Sequence, residues 1–229
     1  MALRWSEMER WSVGFLAGAL TGAAGFTRSR FPIEPLGRHL ESTMNGYCIK
    51  PVAGPTPYKM LKLSTLKPSG LDLSETKFIQ VSESIAQRFA LRKGDLLICR
   101  SVGSYTLIAK SALVEGDHSD VLFPDIIIRC RMDGSLLPEF VREVVQSPLG
   151  RAYFQSNART AVGMWKIGAD DIRTFPIPIP PLPVQEKIVA DLQALRAAIK
   201  SLHDQANAER QEAKKAMEAM ILGTKPARQ

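Results

Sequence analysis

The chain of 229 residues is 45% hydrophobic, which suffices for one domain of about 150 residues with an extension. Its net charge of +7 and its isoelectric point near 9.5 favour a polyanionic or acidic partner. The three cysteines, Cys48, Cys99 and Cys130, lie far apart without a C-x-x-C pair, so a disulfide framework and a zinc site are both disfavoured. This cysteine usage fits the reducing cytoplasm.

One apolar run, residues 13–26, raises the question of a targeting segment. At about 14 residues it is shorter than a membrane-spanning helix, and the residues before it mix acidic and basic side chains instead of being simply basic. We therefore expect an apolar arm over residues 1–27 that packs against another surface. A signal peptide is the alternative, and no membrane segment is expected.

Residues 28–182 are predicted to form an α+β domain with a mixed, mostly β core. Ser82 or Ser84 is expected to cap a helical turn that runs to Ala90. Apolar residues at helical spacing predict a helix over residues 137–154, with a break at Pro148. Asn45-Gly46 is a strong turn signal. Strands are expected at residues 58–66, 78–81, 96–100, 105–112 and 126–131, a loop at residues 101–104, and a loop or turn at residues 160–165.

A proline-rich stretch at residues 175–183 leads into the longest uninterrupted segment of the chain. Because proline fixes φ and biases its predecessor towards extended geometry, this stretch is expected to be a stiff elbow. Pro183 can occupy the first turn of the helix that follows. No glycine or proline then occurs until Gly223, so a long helix is predicted over residues 183–223, with a tail over residues 224–229.

The long helix carries a narrow apolar seam with a 3.5-residue repeat. Its only polar member is Glu209. A seam sustained over roughly four heptads is typical of a coiled coil, so a partner helix is favoured over a helix that lies on its own domain. The residues expected to form the helix–helix contact are Ile188, Leu192, Leu195, Ile199, Leu202, Ala206, Ala213 and Met220.

Three windows of the predicted domain, residues 42–71, 96–114 and 144–169, contain no carboxylate. Each combines lysine or arginine with hydroxyl, amide or aromatic side chains. This mixture suits duplex DNA, because the cations neutralise phosphates while arginine, asparagine and hydroxyl groups reach base edges. A solvated basic face without a partner is the alternative.

Patterns typical of enzymes are missing. The sequence has no glycine-rich phosphate loop, no H-E-x-x-H and no Asp/Asn-Pro-Pro-Tyr/Phe tetrapeptide. Pro124-Asp125 and Glu212-Ala213-Lys214 superficially complete a nuclease pattern, but the second part falls inside the long helix, where its carboxylate cannot meet Asp125 on a metal. No catalytic residue, metal or other cofactor is therefore expected.

The run IPIPPLPVQEKIV at residues 177–189 is similar to a junction found in type I restriction–modification specificity (S) subunits, in which a target-recognition domain runs into a long spacer helix. Upstream elements agree in order and spacing: residues 45–50, residues 91–97, the strand ending in Arg100-Ser101, and residues 161–163 before Ile167. The resemblance covers roughly residues 35–222. Two single-residue departures are Val184, where the family usually has glutamate, and Ala109, where a glycine before the lysine is common.

The length is a larger departure, because S subunits usually hold two recognition domains and two spacer helices, whereas this chain has one of each. The resemblance implies a non-catalytic, cytoplasmic subunit that binds double-stranded DNA and docks a methyltransferase (M) subunit and a translocase–nuclease (R) subunit. A single-domain form would pair as a homodimer through the C-terminal helix, and each chain would read one half-site of a bipartite inverted repeat. The residues nominated for DNA contact are Asn45, Tyr47, Lys50, Tyr58, Lys59, Arg100, Ser101, Ser104, Tyr105, Lys110, Arg159 and Lys166.

Two further hypotheses remain open at this stage. A stand-alone dimeric DNA-binding regulator would have the same fold without an enzyme partner. A scaffold protein would bind partners through the helix, and its basic face would be incidental.

Overall fold

The computed structural model describes residues 26, 29–67, 70–161 and 163–224. The predicted N-terminal arm, apart from Phe26, and the predicted tail, apart from Thr224, lie outside the described residues. The chain divides into two compact units, Met1–Gln185 and Glu186–Gln229.

The predicted α+β class with a long C-terminal helix is confirmed. The helices are α1 (Glu83–Phe89), α2 (Pro138–Gln146), α3 (Pro148–Asn157), α4 (Ala169–Arg173) and α5 (Leu182–Ile221). The strands are β1 (Ile33–Pro35), β2 (Leu40–Asn45), β3 (Tyr58–Leu61), β4 (Leu66–Lys67), β5 (Gly70–Leu71), β6 (Thr76–Ile79), β7 (Leu96–Cys99), β8 (Ser101–Val102), β9 (Ser111–Leu113), β10 (Val121–Leu122), β11 (Ile127–Met132), β12 (Arg159–Ala161), β13 (Met164–Lys166) and β14 (Pro176–Pro178).

The strands form several small sheets around one larger one. The larger sheet has the antiparallel order β2-β11-β7-β9, and all four residues of its inner strand β7 are buried. Burial on both faces explains why β7 has a continuous apolar sequence instead of an alternating one. The remaining sheets have the orders β10-β3-β6, β12-β13-β8, β1-β14 and β4-β5.

Several local predictions are confirmed. Ser82 caps α1, because its hydroxyl oxygen accepts a hydrogen bond from the Ile85 N–H at 3.4 Å. The break at Pro148 separates α2 from α3, and Ser147 caps the second helix by accepting from the Gly150 N–H at 3.1 Å. The proline stretch is extended, since Pro176–Pro178 pairs antiparallel with Ile33–Pro35.

Several local predictions are wrong in whole or in part. The strand expected over residues 105–112 is replaced by a 3-10 turn at Tyr105–Leu107, and β9 begins only at Ser111. The expected loop at residues 101–104 begins with β8. The loop or turn expected at residues 160–165 is a turn only at Gly163, because residues on either side of it pair as the strands β12 and β13 of a hairpin. These strands have two or three residues each, too few for apolar alternation, and they owe their geometry to pairing with distant parts of the chain.

Gly46 has a different role from the predicted turn. It continues from β2 towards an isolated parallel bridge between Tyr47 and Pro124. A Cβ at this position would collide with the carbonyl oxygens of Phe123 and Pro124. Gly46 is therefore required for a close approach of two backbone segments, which is a second common reason for glycine beside a strand.

A buried ion pair joins the turn before β7 to β11. The Asp95 carboxylate is fully buried and receives two hydrogen bonds from Arg131, at 2.8 and 2.9 Å. The Arg92 N–H also donates to it at 2.8 Å. Arg129, on the same strand as Arg131, has its Nε 4.0 Å from the carboxylate and its guanidinium 5.5 Å from the Phe123 ring centre. Burial lowers the pKa of Arg129, and the Asp95 charge acts in the opposite direction.

Gln185, in the first turn of α5, is fully buried within the first unit. Its side-chain oxygen accepts from the Leu137 N–H at 2.8 Å, at the start of α2. Its amide nitrogen donates to the carbonyl oxygens of Pro180, at 2.9 Å, and Ser135, at 3.4 Å. One side chain from the proline junction therefore satisfies backbone groups of two segments, residues 135–137 and Pro180.

Replacing Gln185 with alanine is expected to lower the free energy of unfolding by about 1–3 kcal/mol, because buried backbone groups lose their partners. Urea denaturation followed by circular dichroism measures the change. Gln193→Ala is the matched control, since Gln193 lies exposed on the same helix and its removal should change stability by less than about 0.5 kcal/mol. Equal effects of the two substitutions would show that the buried hydrogen bonds contribute nothing.

Candidate nucleic-acid interface

Strand pairing brings two of the three carboxylate-free windows together. Ser101, on β8, lies opposite Lys166 on β13, which in turn lies opposite Arg159 on β12. Residues directly opposite each other in antiparallel strands project to the same face of a sheet. Arg159 and Lys166 are exposed on that face, whereas Ser101 is buried. The two cations thus form a solvent-facing pair, and Ser101 is the buried neighbour of Lys166 on the next strand.

The 3-10 turn after β8 contacts the other face of this sheet. Its Tyr105 ring meets the Trp165 ring edge-on, with centroids 4.7 Å apart. Burial raises the pKa of Tyr105. Ser104 and Thr106 share a hydrogen bond between their hydroxyls at 2.9 Å, and the Arg151 guanidinium donates to the Thr106 carbonyl oxygen. The nominated residues Ser104 and Tyr105 are both exposed in this turn.

Arg100 and Lys110 flank the turn in the sequence and are half-buried. The Arg100 guanidinium donates to the Asp125 carbonyl oxygen at 3.2 Å, and the Arg100 carbonyl oxygen accepts from the Ile167 N–H at 2.9 Å. The residue before Lys110 is Ala109, whose φ of 58° lies in the left-handed region. That geometry favours glycine, so Ala109 holds a backbone conformation that residues with a side chain rarely adopt.

The nominated residues of the remaining window, residues 42–71, lie on or near other strands. Asn45 is exposed at the end of β2, and Lys50 is exposed beyond it. Tyr58 and Lys59 lie on β3, in the sheet with β6 and β10. Tyr47 and Tyr58 are half-buried against the apolar core, and the ring centroids of Tyr47 and Phe89 are 5.1 Å apart. Both tyrosines therefore pack against the core whatever else they contact.

The cations of the two joined windows, residues 96–114 and 144–169, have no acidic partner among the described residues. Arg38, Arg142 and Arg173 each form an ion pair with a nearby carboxylate. The part of the chain that the structure describes shows no such pair for the cations of the two joined windows. We call these cations the basic cluster, which comprises Arg100, Lys110, Arg151, Arg159 and Lys166.

Two members of this region were not among the nominated residues. Arg151 and Trp165 both lie in the carboxylate-free window of residues 144–169. The absence of carboxylates from residues 144–169 was the available signal for Arg151. The contact between Trp165 and Tyr105 depends on the pairing of β13 with β8, which no local pattern indicates.

The seam of α5 is largely exposed in its middle. Leu195, Ile199 and Leu202 are 59%, 55% and 63% exposed. Ile188 and Leu192, nearer the start of the helix, are half-buried. A row of large apolar side chains in water is unfavourable and marks a surface available for contact. The Ala-rich second half of the seam is also mostly exposed: Ala206, Ala213 and Met220.

The described residues contain no group of three or more histidine, cysteine or acidic side chains placed to hold a metal ion. Cys99 and Cys130 are buried, and burial raises their pKa values to about 11 and about 12. Cys48 is exposed. No helix in the described part of the chain is long and apolar enough to cross a membrane.

The fold is that of specificity subunits from type I restriction–modification systems. The crystal structure of the HsdS subunit from Thermoanaerobacter tengcongensis matches with a TM-score of 0.61 and 17% identity, over 88% of this chain and 52% of that one. A second solved structure, from work on complex assembly and conformational transition of the type I R-M system, also matches. Its TM-score is 0.54 and its identity 16%, over 91% of this chain and 51% of that one. At these identities the two matches show the fold.

A curated relative supplies the sequence similarity. The specificity subunit of the type I restriction enzyme EcoKI, from Escherichia coli (strain K12), is 29% identical over 169 residues, which are 73% of this chain and 36% of the relative. No family model matches the sequence. The chain therefore spans about half the length of the solved structures and about a third of the curated relative. The resemblance predicted from the proline junction is confirmed: the chain is similar to a half-subunit-sized part of a type I specificity subunit.

Proposed function

We propose that this chain is the DNA-recognition subunit of a type I restriction–modification system and has no catalytic activity of its own. The observation that carries this proposal is the similarity of most of the chain to about half the length of two solved structures and about a third of the curated relative. The basic cluster supports DNA as the ligand, because unpaired cations beside exposed hydroxyl and aromatic groups suit phosphates and bases together. The nominated DNA contacts outside the cluster, on β2 and β3, belong to the same proposal.

The proposed form is a homodimer that pairs antiparallel along α5. Each chain reads one half-site, so two-fold symmetry requires an inverted-repeat target with an unread spacer of constant length. The helix has 40 residues and is therefore about 60 Å long, which is long enough to set the separation of two half-sites. The exposed seam supplies the apolar surface for the pairing, and the outer faces of the helix pair would receive the methyltransferase.

Copurification followed by DNA footprinting tests the proposal. We expect the chain to copurify with a large methyltransferase subunit and to protect two short segments separated by an unprotected spacer. Protection without any methyltransferase partner would favour the stand-alone regulator instead. If the chain protects no preferred sequence, alone or with a methyltransferase, both the specificity subunit and the stand-alone regulator are contradicted. Capture of partner proteins without DNA binding would favour the scaffold.

Replacing Lys166 with alanine is expected to weaken binding to all duplexes alike, because a lysine in the basic cluster neutralises a phosphate and carries no sequence information. The slope of the logarithm of the affinity against that of the salt concentration should flatten by about one unit. Fluorescence anisotropy at several salt concentrations measures this slope. Lys187→Ala is the control, since Lys187 is exposed but already pairs with Asp191 at 3.1 Å. An unchanged slope for the Lys166 variant would remove this residue from the interface.

A further inference from the structure

The 3-10 turn at Tyr105–Leu107 presents two large apolar side chains to solvent. Tyr105 is 37% exposed and Leu107 is 40% exposed, and all residues from Gly103 to Leu107 lie at the surface. The residues that follow have the opposite character, since Ile108 and Ala109 are fully buried. The turn is thus a short apolar projection whose base is fixed in the core.

Hydrogen bonds hold the turn in one conformation. The Leu107 N–H donates to the Ser104 carbonyl oxygen at 3.0 Å, and the Lys110 N–H donates to the Leu107 carbonyl oxygen at 3.1 Å. Arg151, from α3, binds the Thr106 carbonyl oxygen. A surface group that is fixed before binding loses little conformational entropy when it is inserted into a partner.

Trp165 supports the Tyr105 ring from below. The edge-on contact between the two rings has a centroid separation of 4.7 Å. Trp165 is itself placed by the pairing of β13 with β8, opposite Val102. Tyr105 therefore contacts a second aromatic ring while 37% of its surface remains exposed.

Charge identifies the kind of partner. The turn lies in a carboxylate-free window and is joined to a second such window by Arg151 and by the β8–β13 pairing. The basic cluster, of which Arg151 binds this turn directly, has no ion pair among the described residues. A partner that fits must combine negative charge with flat apolar groups, and DNA does so through its phosphates and its stacked bases.

We infer that the turn is a wedge that presses Tyr105 and Leu107 against one base step of the bound duplex and partly unstacks it. Apolar side chains act in this way in proteins that open or bend a duplex, while nearby cations hold the phosphates. In this arrangement Tyr105 and Leu107 touch DNA, and Trp165 is a positioning residue that keeps the tyrosine ring upright. The inference rests on the proposed function, because it needs a duplex bound at the basic cluster.

The fluorescence of 2-aminopurine tests the wedge, because it rises when this base analogue is unstacked. The probe is a duplex that the chain protects in the footprint, with 2-aminopurine placed at one position at a time. The wild-type chain should raise the fluorescence at one step. Tyr105→Ala and Leu107→Ala should each reduce that rise, and Tyr105→Ala should weaken binding about 5- to 150-fold.

Two control variants show whether the ring is responsible. Tyr105→Phe keeps the ring and should retain both the fluorescence rise and the affinity. Leu149→Ala removes an exposed apolar side chain from α3 and should change neither. Circular dichroism melting of each variant separates loss of folding from loss of binding.

The outcomes distinguish the wedge from the proposed function. Specific protection by the wild-type chain, with unchanged affinity and fluorescence for Tyr105→Ala, would overturn the wedge and leave the function standing. Normal DNA binding by Tyr105→Ala with lost methyltransferase copurification would make the turn a protein contact and also overturn the wedge. A wild-type chain that protects no duplex would overturn both.

Discussion

Replacing Asp95 with alanine is expected to lower the free energy of unfolding by about 3–5 kcal/mol, which is a large part of the stability of a domain of this size. The substitution leaves Arg131 without its two charge-assisted hydrogen bonds, at 2.8 and 2.9 Å. It also removes the only carboxylate near Arg129 in the described ion pairs. Both guanidinium groups are largely buried, so water cannot replace the lost partner at low cost.

Asp170→Ala is the matched control for this prediction. Its carboxylate pairs with Arg173 at 2.9 Å but is exposed, so its removal should cost less than about 1 kcal/mol. Asp95→Asn provides a milder change, because the amide oxygen can still accept from the Arg92 N–H. Urea denaturation of all three variants measures the differences. A loss from Asp95→Ala no larger than that from Asp170→Ala would show that the buried network is dispensable.

Replacing Ile199 with aspartate is expected to convert the proposed dimer into a monomer. Burying an Ile or Leu side chain contributes about 1.5–3 kcal/mol, and each substitution acts twice in a two-fold dimer. The dimer dissociation constant should therefore rise by about 10²- to 10⁴-fold, with a further increase because a carboxylate enters the apolar seam. Sedimentation equilibrium over a range of concentrations measures this constant.

Ala197→Asp tests whether the position of the charge matters. Residue 197 lies two positions from residues 195 and 199, so it projects to the opposite side of the helix from the seam. The same aspartate there should leave the dimer intact. A wild-type chain that is a monomer at all concentrations, or equal weakening by both substitutions, would contradict pairing through the seam.

The parts of the fold that could be predicted are those with local signals. Ser82 and Pro148 were correctly assigned to helix boundaries, because capping and proline stereochemistry depend on a few neighbouring residues. The helix over residues 183–223 was predicted to within two residues at each end, since it has a long, sustained pattern. The junction that leads into it also carried the resemblance that the comparisons confirm.

The candidate site was predicted only in part, because its assembly depends on long-range pairing. The composition of their windows was enough to nominate Ser101, Arg159 and Lys166. Their alignment across β8, β13 and β12 could not be predicted from the sequence. The strand predicted over residues 105–112 begins instead with the turn that presents Tyr105, and Arg151 from α3 donates a hydrogen bond to this turn. The role of Gln185 was equally invisible, although the residue belongs to the recognised junction, because its partners lie on other segments.

Selection of binding sites from random duplexes tests most directly whether two chains of this protein read two half-sites. The intact wild-type chain, alone and with its methyltransferase, is incubated with a random library, and the bound duplexes are sequenced over several rounds. We predict an inverted repeat whose two halves are separated by a spacer of fixed length and random sequence. Recovery of a single unrepeated site, of half-sites at variable spacing, or of no shared sequence would contradict the reading of two half-sites by two paired chains.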